Sequence, residues 1–354
     1  MGNGNREELE SILQGLPDLT GKELYIFGAG NTASLYQEGL RRLKNEFAVT
    51  GYVDNKKAGK LFDGKKIISP FEIQERQNLI CSSQPNVIKS ISEQLDEMGI
   101  EFFHIDEVIF KMHAREIISI FDTLEDKLSQ DTFLGVVRAR ISGNYVSPDL
   151  FCENQYFALP EFRRMDSNEI FVNCGAYVGD TIEKYIWSRF GVFRKIIGFE
   201  PDRNNFNAMK KRISRLQDEW NLNKNSIELY PYALSDIKNT VSIQNVEETM
   251  GLGSKVLDGE CNGAECLMIS IDEVINEPIS FLNADVESYE YRMLLGAKET
   301  IRKWKPNLAI SIYHNAVDMF SIPLLIKEFV PEYKIAVRHH SYHLYDTVLY
   351  AWCE

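Results

Sequence analysis

Ile170-Phe-Val-Asn-Cys-Gly-Ala-Tyr-Val-Gly-Asp-Thr181 decides the reading of the C-terminal half. The apolar run ending at Cys174 predicts a buried strand, and the glycine turn after it leads into a helix. Gly175 permits a tight turn and close approach to a ligand, and Gly179 gives a second such point. Asp180 and Thr181 have side chains suited to capping the helix that follows. Crevices at the carboxyl ends of parallel strands are where open α/β sheets bind ligands, although many such turns serve packing alone. The next strand ends in Ile197-Gly-Phe-Glu-Pro-Asp202. Glu200 at its tip is placed to accept hydrogen bonds from both hydroxyls of a nucleoside ribose, because a carboxylate takes two donors at once. Pro201 stiffens the turn, and Asp202 is the expected cap of helix 203–220.

Working outward, strands are expected at Glu169–Cys174, Lys195–Phe199, Ser226–Tyr230, Ile279–Asn283 and Asn307–Ile312. Helices near 180–189, 203–220, 288–303 and 319–329 alternate with them, which implies a mainly parallel sheet covered on both faces. Tyr333–Arg338 and Thr347–Trp352 have only a polar turn between them and should pair as a hairpin. Tyr232-Ala-Leu-Ser-Asp236 follows the third strand. Phe281-Leu-Asn-Ala-Asp-Val-Glu-Ser-Tyr-Glu290 ends the fourth in an acidic cluster of Asp285, Glu287 and Glu290. Carboxylates there can orient a substrate hydroxyl, accept its proton, or hold a cationic part of a cofactor. They can also simply favour the N-terminus of the next helix. A doubly wound sheet closed by an antiparallel hairpin is the architecture of class I methyltransferases, though fold alone does not establish chemistry.

The N-terminal part has a rhythm of its own. Lys22-Glu-Leu-Tyr-Ile-Phe27 runs into Gly28-Ala-Gly-Asn-Thr-Ala33, and a second strand, Val49–Val53, ends at Asp54. This β-α-β unit fits the dinucleotide pattern, with Gly28 and Gly30 in the turn, alanine in the third glycine place, and Asp54 where a ribose-binding acid sits. No second mononucleotide half is evident. The boundaries expected are a Rossmann-like α/β domain over 1–110, a helical connector and approach segment over 111–164, and the larger domain over 165–354. The small domain reads either as a nucleotide or nucleotide-sugar binder or as a packing and dimerisation module, which leaves a homo-oligomer open.

Hydrophobic residues make up 44% and charged residues 26% of the 354, as in soluble globular proteins. The formal net charge of −13 argues against nucleic-acid binding, since an acidic surface repels phosphates. No apolar run approaches the ~20 residues of a membrane span, and the polar, acidic start is unlike a secretory signal. The six cysteines form no Cys-x-x-Cys pair. Reduced thiols in a cytoplasmic protein, with no metal site, are therefore expected.

The ordered set of motifs resembles the FkbM-type methyltransferases. It comprises Asn173–Asp180, Phe199–Asp202, Ala233–Asp236, Ser270–Val274, Asp285–Glu287, Leu295–Ala297, Lys305–Ile310 with Tyr313-His314, and Arg338-His-His-Ser341. The resemblance covers roughly residues 150–354. It implies S-adenosylmethionine as methyl donor and a hydroxyl of a small, carbohydrate-linked or polyketide-like molecule as acceptor. It puts Asn173, Gly175, Ala176, Tyr177, Gly179, Asp180, Thr181, Glu200, Pro201, Asp202, Ala233 and Leu234 at the cofactor. Asp285, Glu287 and His314 become the catalytic candidates, with Asp285 first choice as base and His339 and His340 as alternatives. The chain departs from the family pattern with Asn173 for aspartate, Asn283 for lysine and Ser288 for glycine. Those departures motivate a second reading, cofactor binding without turnover. A third is NAD-linked chemistry through residues 22–54.

Overall fold

The computed structural model describes residues 3–43, 49–73, 77–82, 84–245, 254–257 and 264–354. Of the cysteines, Cys261 lies outside them, and the other five are free thiols. The chain divides into two compact units. One comprises Met1–Glu153, Ile312–Pro323 and Ala336–Thr347; the other comprises Asn154–Ser311, Leu324–Ile335 and Val348–Glu354.

The first unit opens with α1 (Asn3–Gly15), which buries Leu9 and Leu13 as their spacing requires. There follow β1 (Leu24–Phe27), α2 (Asn31–Arg42), β2 (Val49–Val53), β3 (Leu61–Phe62), β4 (Lys65–Ile68), β5 (Gln77–Ile80), α3 (Pro85–Glu97) and β6 (Phe102–His104). The sheet order is β3-β4-β2-β1-β5-β6. All neighbours are parallel except β3, which runs antiparallel to β4 on the edge. β1 is apolar throughout because it is central and covered on both faces. Its Tyr25 and Phe27 join Val53, Ile68, Ile80, Ile88 and Leu95 in one core cluster. Three helices complete the unit: α4 (Ile105–Met112), α5 (Ala114–Phe121) and α6 (Lys127–Ser142). α6 carries no amphipathic stripe because residues on most of its faces are buried, including Ser129, Thr132 and Arg140. The Arg140 guanidinium lies 2.9 Å from the Asp106 carboxylate, and the Tyr36 hydroxyl donates to the same carboxylate. A buried charge needs partners of this kind.

The second unit holds β7 (Ile170–Cys174), α7 (Asp180–Ser188), β8 (Lys195–Phe199), α8 (Arg203–Glu219) and β9 (Ile227–Tyr230). Then come β10 (Tyr232–Leu234), β11 (Asn239–Asn245), β12 (Ser254–Leu257), β13 (Ala264–Ile269) and α9 (Ile271–Val274). The remaining elements are β14 (Phe281–Ala284), α10 (Glu290–Leu295), α11 (Lys298–Trp304), β15 (Asn307–Ser311), α12 (Asp318–Phe329), β16 (Lys334–His339) and β17 (Thr347–Trp352). Seven strands align as β16-β17-β15-β14-β7-β8-β9. The five from β15 to β9 are parallel, and β17 is antiparallel to β15. This is the class I methyltransferase architecture. At the start of β7, Glu169 takes the Arg189 guanidinium at 2.8 Å and the Tyr185 hydroxyl at 2.7 Å, and Arg189 also donates to the Phe162 carbonyl.

Two features differ from expectation. A small sheet of order β10-β13-β11-β12 stands between the third and fourth parallel strands, where the sequence showed only a motif. The single helix expected over 288–303 is two helices, α10 and α11, separated at Gly296-Ala297. The backbone at the break is closely packed: a Cβ on Gly296 would stand 2.1 Å from the Ser235 carbonyl oxygen, so glycine is required there. Asp272 then caps α11 from a distance, accepting from the N–H groups of Glu299 and Thr300 at 3.0 and 2.9 Å. The Ser270–Val274 and Leu295–Ala297 motifs are thus bound to each other structurally.

Candidate active site

The turn from β7 to α7 alternates left-handed residues, with φ of 77° at Gly175, 46° at Tyr177 and 82° at Gly179. The N–H groups of Gly175 and Ala176 both donate to the Phe199 carbonyl, at 3.1 and 2.8 Å, and Asp285 N–H donates to the Cys174 carbonyl at 3.0 Å. The tips of β7, β8 and β14 are therefore tied together at this turn. Glycine is obligatory at 175, since a Cβ there would lie 1.9 Å from the Asp285 carbonyl oxygen. Gly179 itself is the N-cap of α7, without a side-chain cap. Asp180 and Thr181, expected as caps, are instead the first residues of the helix. The Asp180 carboxylate there still favours the exposed N–H groups of the first turn.

Glu200 follows β8 and is 5% exposed. One carboxylate oxygen accepts Tyr177 N–H at 2.8 Å, and the other accepts Asp202 N–H at 2.9 Å. Burial pushes its pKa up to about 7, outweighing those two backbone hydrogen bonds; the nearby Asp202 charge adds to the rise, and the Asn205 side chain opposes it. With the Asn205 side chain as a third donor, the carboxylate's two oxygens still have lone-pair capacity for a further one. Pro201 turns the chain into α8, and Asp202 caps that helix by accepting from Asn204 and Asn205 N–H, both at 2.9 Å. Asn205 is the participant that spacing gave no reason to single out.

Asn173 and Asn283 are register partners on β7 and β14, both buried. The Asn173 amide donates to Asn283 Oδ1 at 2.9 Å, and Asn173 Oδ1 has no partner among the described residues. The departures at these two positions thus form one neutral amide pair. Beyond β14, Asp285 accepts the Tyr156 hydroxyl at 2.9 Å. Glu290 is fully buried, and its carboxylate accepts Val286 N–H at 2.7 Å, pinning the acidic loop. Glu287 and Ser288 are left-handed, with φ of 52° and 78°, and Ser288 Oγ is buried without a partner among the described residues. Ala233 and Leu234 are buried on β10. Ala233 sits in a cluster with Val241, Cys266, Met268 and Tyr289, against which Val286 packs.

His314 lies beyond the end of β15 in the first unit, 5% exposed, with its ring 4.1 Å from that of Tyr313. His339 is engaged at both nitrogens, by Thr347 Oγ1 and the His343 carbonyl, each at 2.8 Å. Burial pushes its pKa down to about 4, so the ring is neutral and pins the hairpin turn. His340 Nδ1 is 2.6 Å from the Cys152 carbonyl. At the N-terminal candidates, Gly28 has φ of 104° and Gly30 is the N-cap of α2. Asp54 receives three backbone N–H groups, those of Ala29, Lys56 and Lys57, while Lys57 Nζ donates to the Ala29 carbonyl at 2.8 Å. The acid at the end of β2 thus closes the β1–α2 turn.

Doubly wound topology, the strapped glycine turn and the acid at the second strand tip define a methyltransferase of the class I fold. Residues 173–342 match the family described as methyltransferase FkbM domain, and residues 21–105 match one described as C2185-like, N-terminal. The chain carries an FkbM-type methyltransferase domain. Its fold is shared with the crystal structure of methyltransferase FkbM from Methylobacillus flagellatus. That likeness has 20% identity and a TM-score of 0.56, over 99% of this chain and 93% of that one. An rRNA methylase from Streptococcus thermophilus aligns with 57% of this chain and 99% of its own, at 15% identity and a TM-score of 0.33. A SAM-dependent methyltransferase from Aquifex aeolicus aligns with 53% of this chain and 85% of its own, at 10% identity and a TM-score of 0.27. No curated protein matches the chain. Among the described residues, no helix is long and apolar enough to cross a membrane.

Proposed function

We propose that the protein transfers the methyl group of S-adenosylmethionine to a hydroxyl of a small, carbohydrate-linked acceptor. The observation that carries the cofactor half is the Glu200 carboxylate, held beside a turn whose Gly175 has no room for a Cβ. That donor set fits the cofactor. Glu200 accepts from ribose hydroxyls, Gly175, Ala176, Tyr177 and Gly179 line the approach with backbone, and Asn173 contributes a buried amide at the tip of β7. Asp180, Thr181, Pro201, Asp202, Ala233 and Leu234 complete the surroundings of the same strand tips.

When bound, the cofactor supplies a methyl carbon already activated by its sulfonium, so the protein's work is alignment and exclusion of water. Asp285 is assigned as the base that takes the acceptor's hydroxyl proton, because an alcohol is a poor nucleophile while protonated. Glu287 and His314 are the further catalytic candidates. Calorimetry with S-adenosylmethionine and S-adenosylhomocysteine tests the cofactor half: binding is expected, with a loss of at least tenfold in Glu200→Ala. No binding by the native protein, together with no effect of that substitution, overturns it. Tritiated methyl donor with a panel of sugars and glycosides tests the acceptor half, with label expected on a sugar hydroxyl. Label appearing only on nitrogen or carbon acceptors overturns that part.

A further inference from the structure

Tyr156 lies in a segment of the second unit with no regular secondary structure, and nothing in its spacing marks it. Its backbone is left-handed, with φ of 69°, and Asn154 just before it has φ of 60°. Such a conformation is an outlier for a bulky side chain. Two hydrogen bonds hold it in place. Phe157 N–H closes the turn on the Asn154 carbonyl at 2.7 Å, and Tyr156 N–H donates to the hydroxyl of Tyr350 in β17 at 2.9 Å. The side chain is 4% exposed, and its hydroxyl ends 2.9 Å from a carboxylate oxygen of Asp285.

Strained backbone persists where its surroundings over-determine it, and it concentrates at functional sites. What the strain delivers here is one phenol hydroxyl on one carboxylate, from a position 129 residues away in sequence. A ring that merely filled the core would need no hydroxyl. We infer that Tyr156 is a positioning residue, orienting the Asp285 carboxylate to receive the proton of the acceptor hydroxyl; the inference rests on the methyl-transfer reading above. In that step the acceptor oxygen bonds to the methyl carbon while the carbon–sulfur bond breaks, its electron pair leaving with sulfur. The hydroxyl proton passes to Asp285. Tyr156 keeps its own proton throughout and donates a hydrogen bond to the anionic form of the carboxylate, which is charge-assisted and favours that form.

The test is the titration of Asp285, followed by carbon-13 NMR in protein labelled at aspartate Cγ, with its resonance identified by loss in Asp285→Asn. In Tyr156→Phe the midpoint is expected to rise by about one pH unit, a tenfold change, the scale of a hydrogen bond to a charged group. Affinity for S-adenosylhomocysteine should stay within twofold. Tyr350→Phe keeps the Tyr156 hydroxyl but removes the acceptor of its N–H, so a smaller rise in the same direction is expected; this variant also serves if Tyr156→Phe does not fold. Unshifted midpoints in the folded variants overturn the inference. A native protein that fails to bind S-adenosylhomocysteine sinks the cofactor reading instead, and the titration still decides the role of Tyr156.

Discussion

Cofactor binding should depend on pH through Glu200, and the structure sets both the sign and the size. Its pKa stands at about 7 in the folded protein against an ordinary 4.5. The ionised form accepts ribose hydroxyls best, so affinity should rise with pH. With a midpoint near 7, ionisation goes from about 9% at pH 6 to about 91% at pH 8, so the dissociation constant should fall roughly tenfold across that interval. Isothermal calorimetry with S-adenosylhomocysteine in matched buffers measures this, and Glu200→Gln should flatten the dependence while weakening binding. The same shift bears on stability. Because the folded pKa is raised, the contribution is fully present below about pH 4.5 and is lost as pH rises through about 7. The 2.5-unit difference between 7 and 4.5 amounts to about 3 kcal/mol. Denaturant unfolding at pH 5 and 8 should show that loss in the native protein and not in Glu200→Gln. A flat affinity profile in the native protein, with an identical profile in Glu200→Gln, would refute the assignment.

Three further substitutions probe the scaffold. Gly175→Ala adds a Cβ 1.9 Å from the Asp285 carbonyl oxygen, so the tips of β7 and β14 must part by 1.5 Å to regain a 3.4 Å contact, since 3.4 minus 1.9 is 1.5. With its left-handed backbone the variant should lose ~3–5 kcal/mol in denaturant unfolding, and an unchanged midpoint would contradict the strapped-turn description. Ser288→Gly removes a strained φ of 78° and a buried hydroxyl without a partner among the described residues. It should gain ~1–2 kcal/mol by the same measurement, and a loss would show the hydroxyl to be engaged. Arg189→Met leaves the Glu169 carboxylate without its guanidinium and should cost ~3–5 kcal/mol, whereas a neutral result would place that pair outside the stabilising core.

How much of this was legible in the sequence varied with what each element rests on. β1, β8 and β17 are strands whose apolar character is continuous or nearly so, and their positions follow from burial alone. Asp202 as a cap and Gly175 as an obligatory turn residue follow from local chemistry. The small sheet was not readable because β11, Asn-Thr-Val-Ser-Ile-Gln-Asn, offers too little apolar alternation to stand apart from a loop. The break between α10 and α11 falls at Gly296, whose close packing on the Ser235 carbonyl is a contact distant in sequence. Asp54 reads as a ribose-binding acid from its position at the end of β2; that it also accepts the N–H groups of Ala29, Lys56 and Lys57 is a matter of turn geometry that spacing does not show. Tyr156 was invisible for a similar reason, since a left-handed tyrosine leaves no periodic trace. The departures at positions 173 and 283 gained meaning only when register put them opposite each other as one amide pair.

On the reading proposed above, the strand tips around Gly175 and Glu200 hold the methyl donor. A crystal structure of the protein soaked with S-adenosylhomocysteine tests it most directly. The nucleoside is expected over the Gly175–Gly179 turn, with both ribose hydroxyls on the Glu200 carboxylate. Ordered ligand elsewhere, or a ribose that leaves Glu200 untouched, would contradict it.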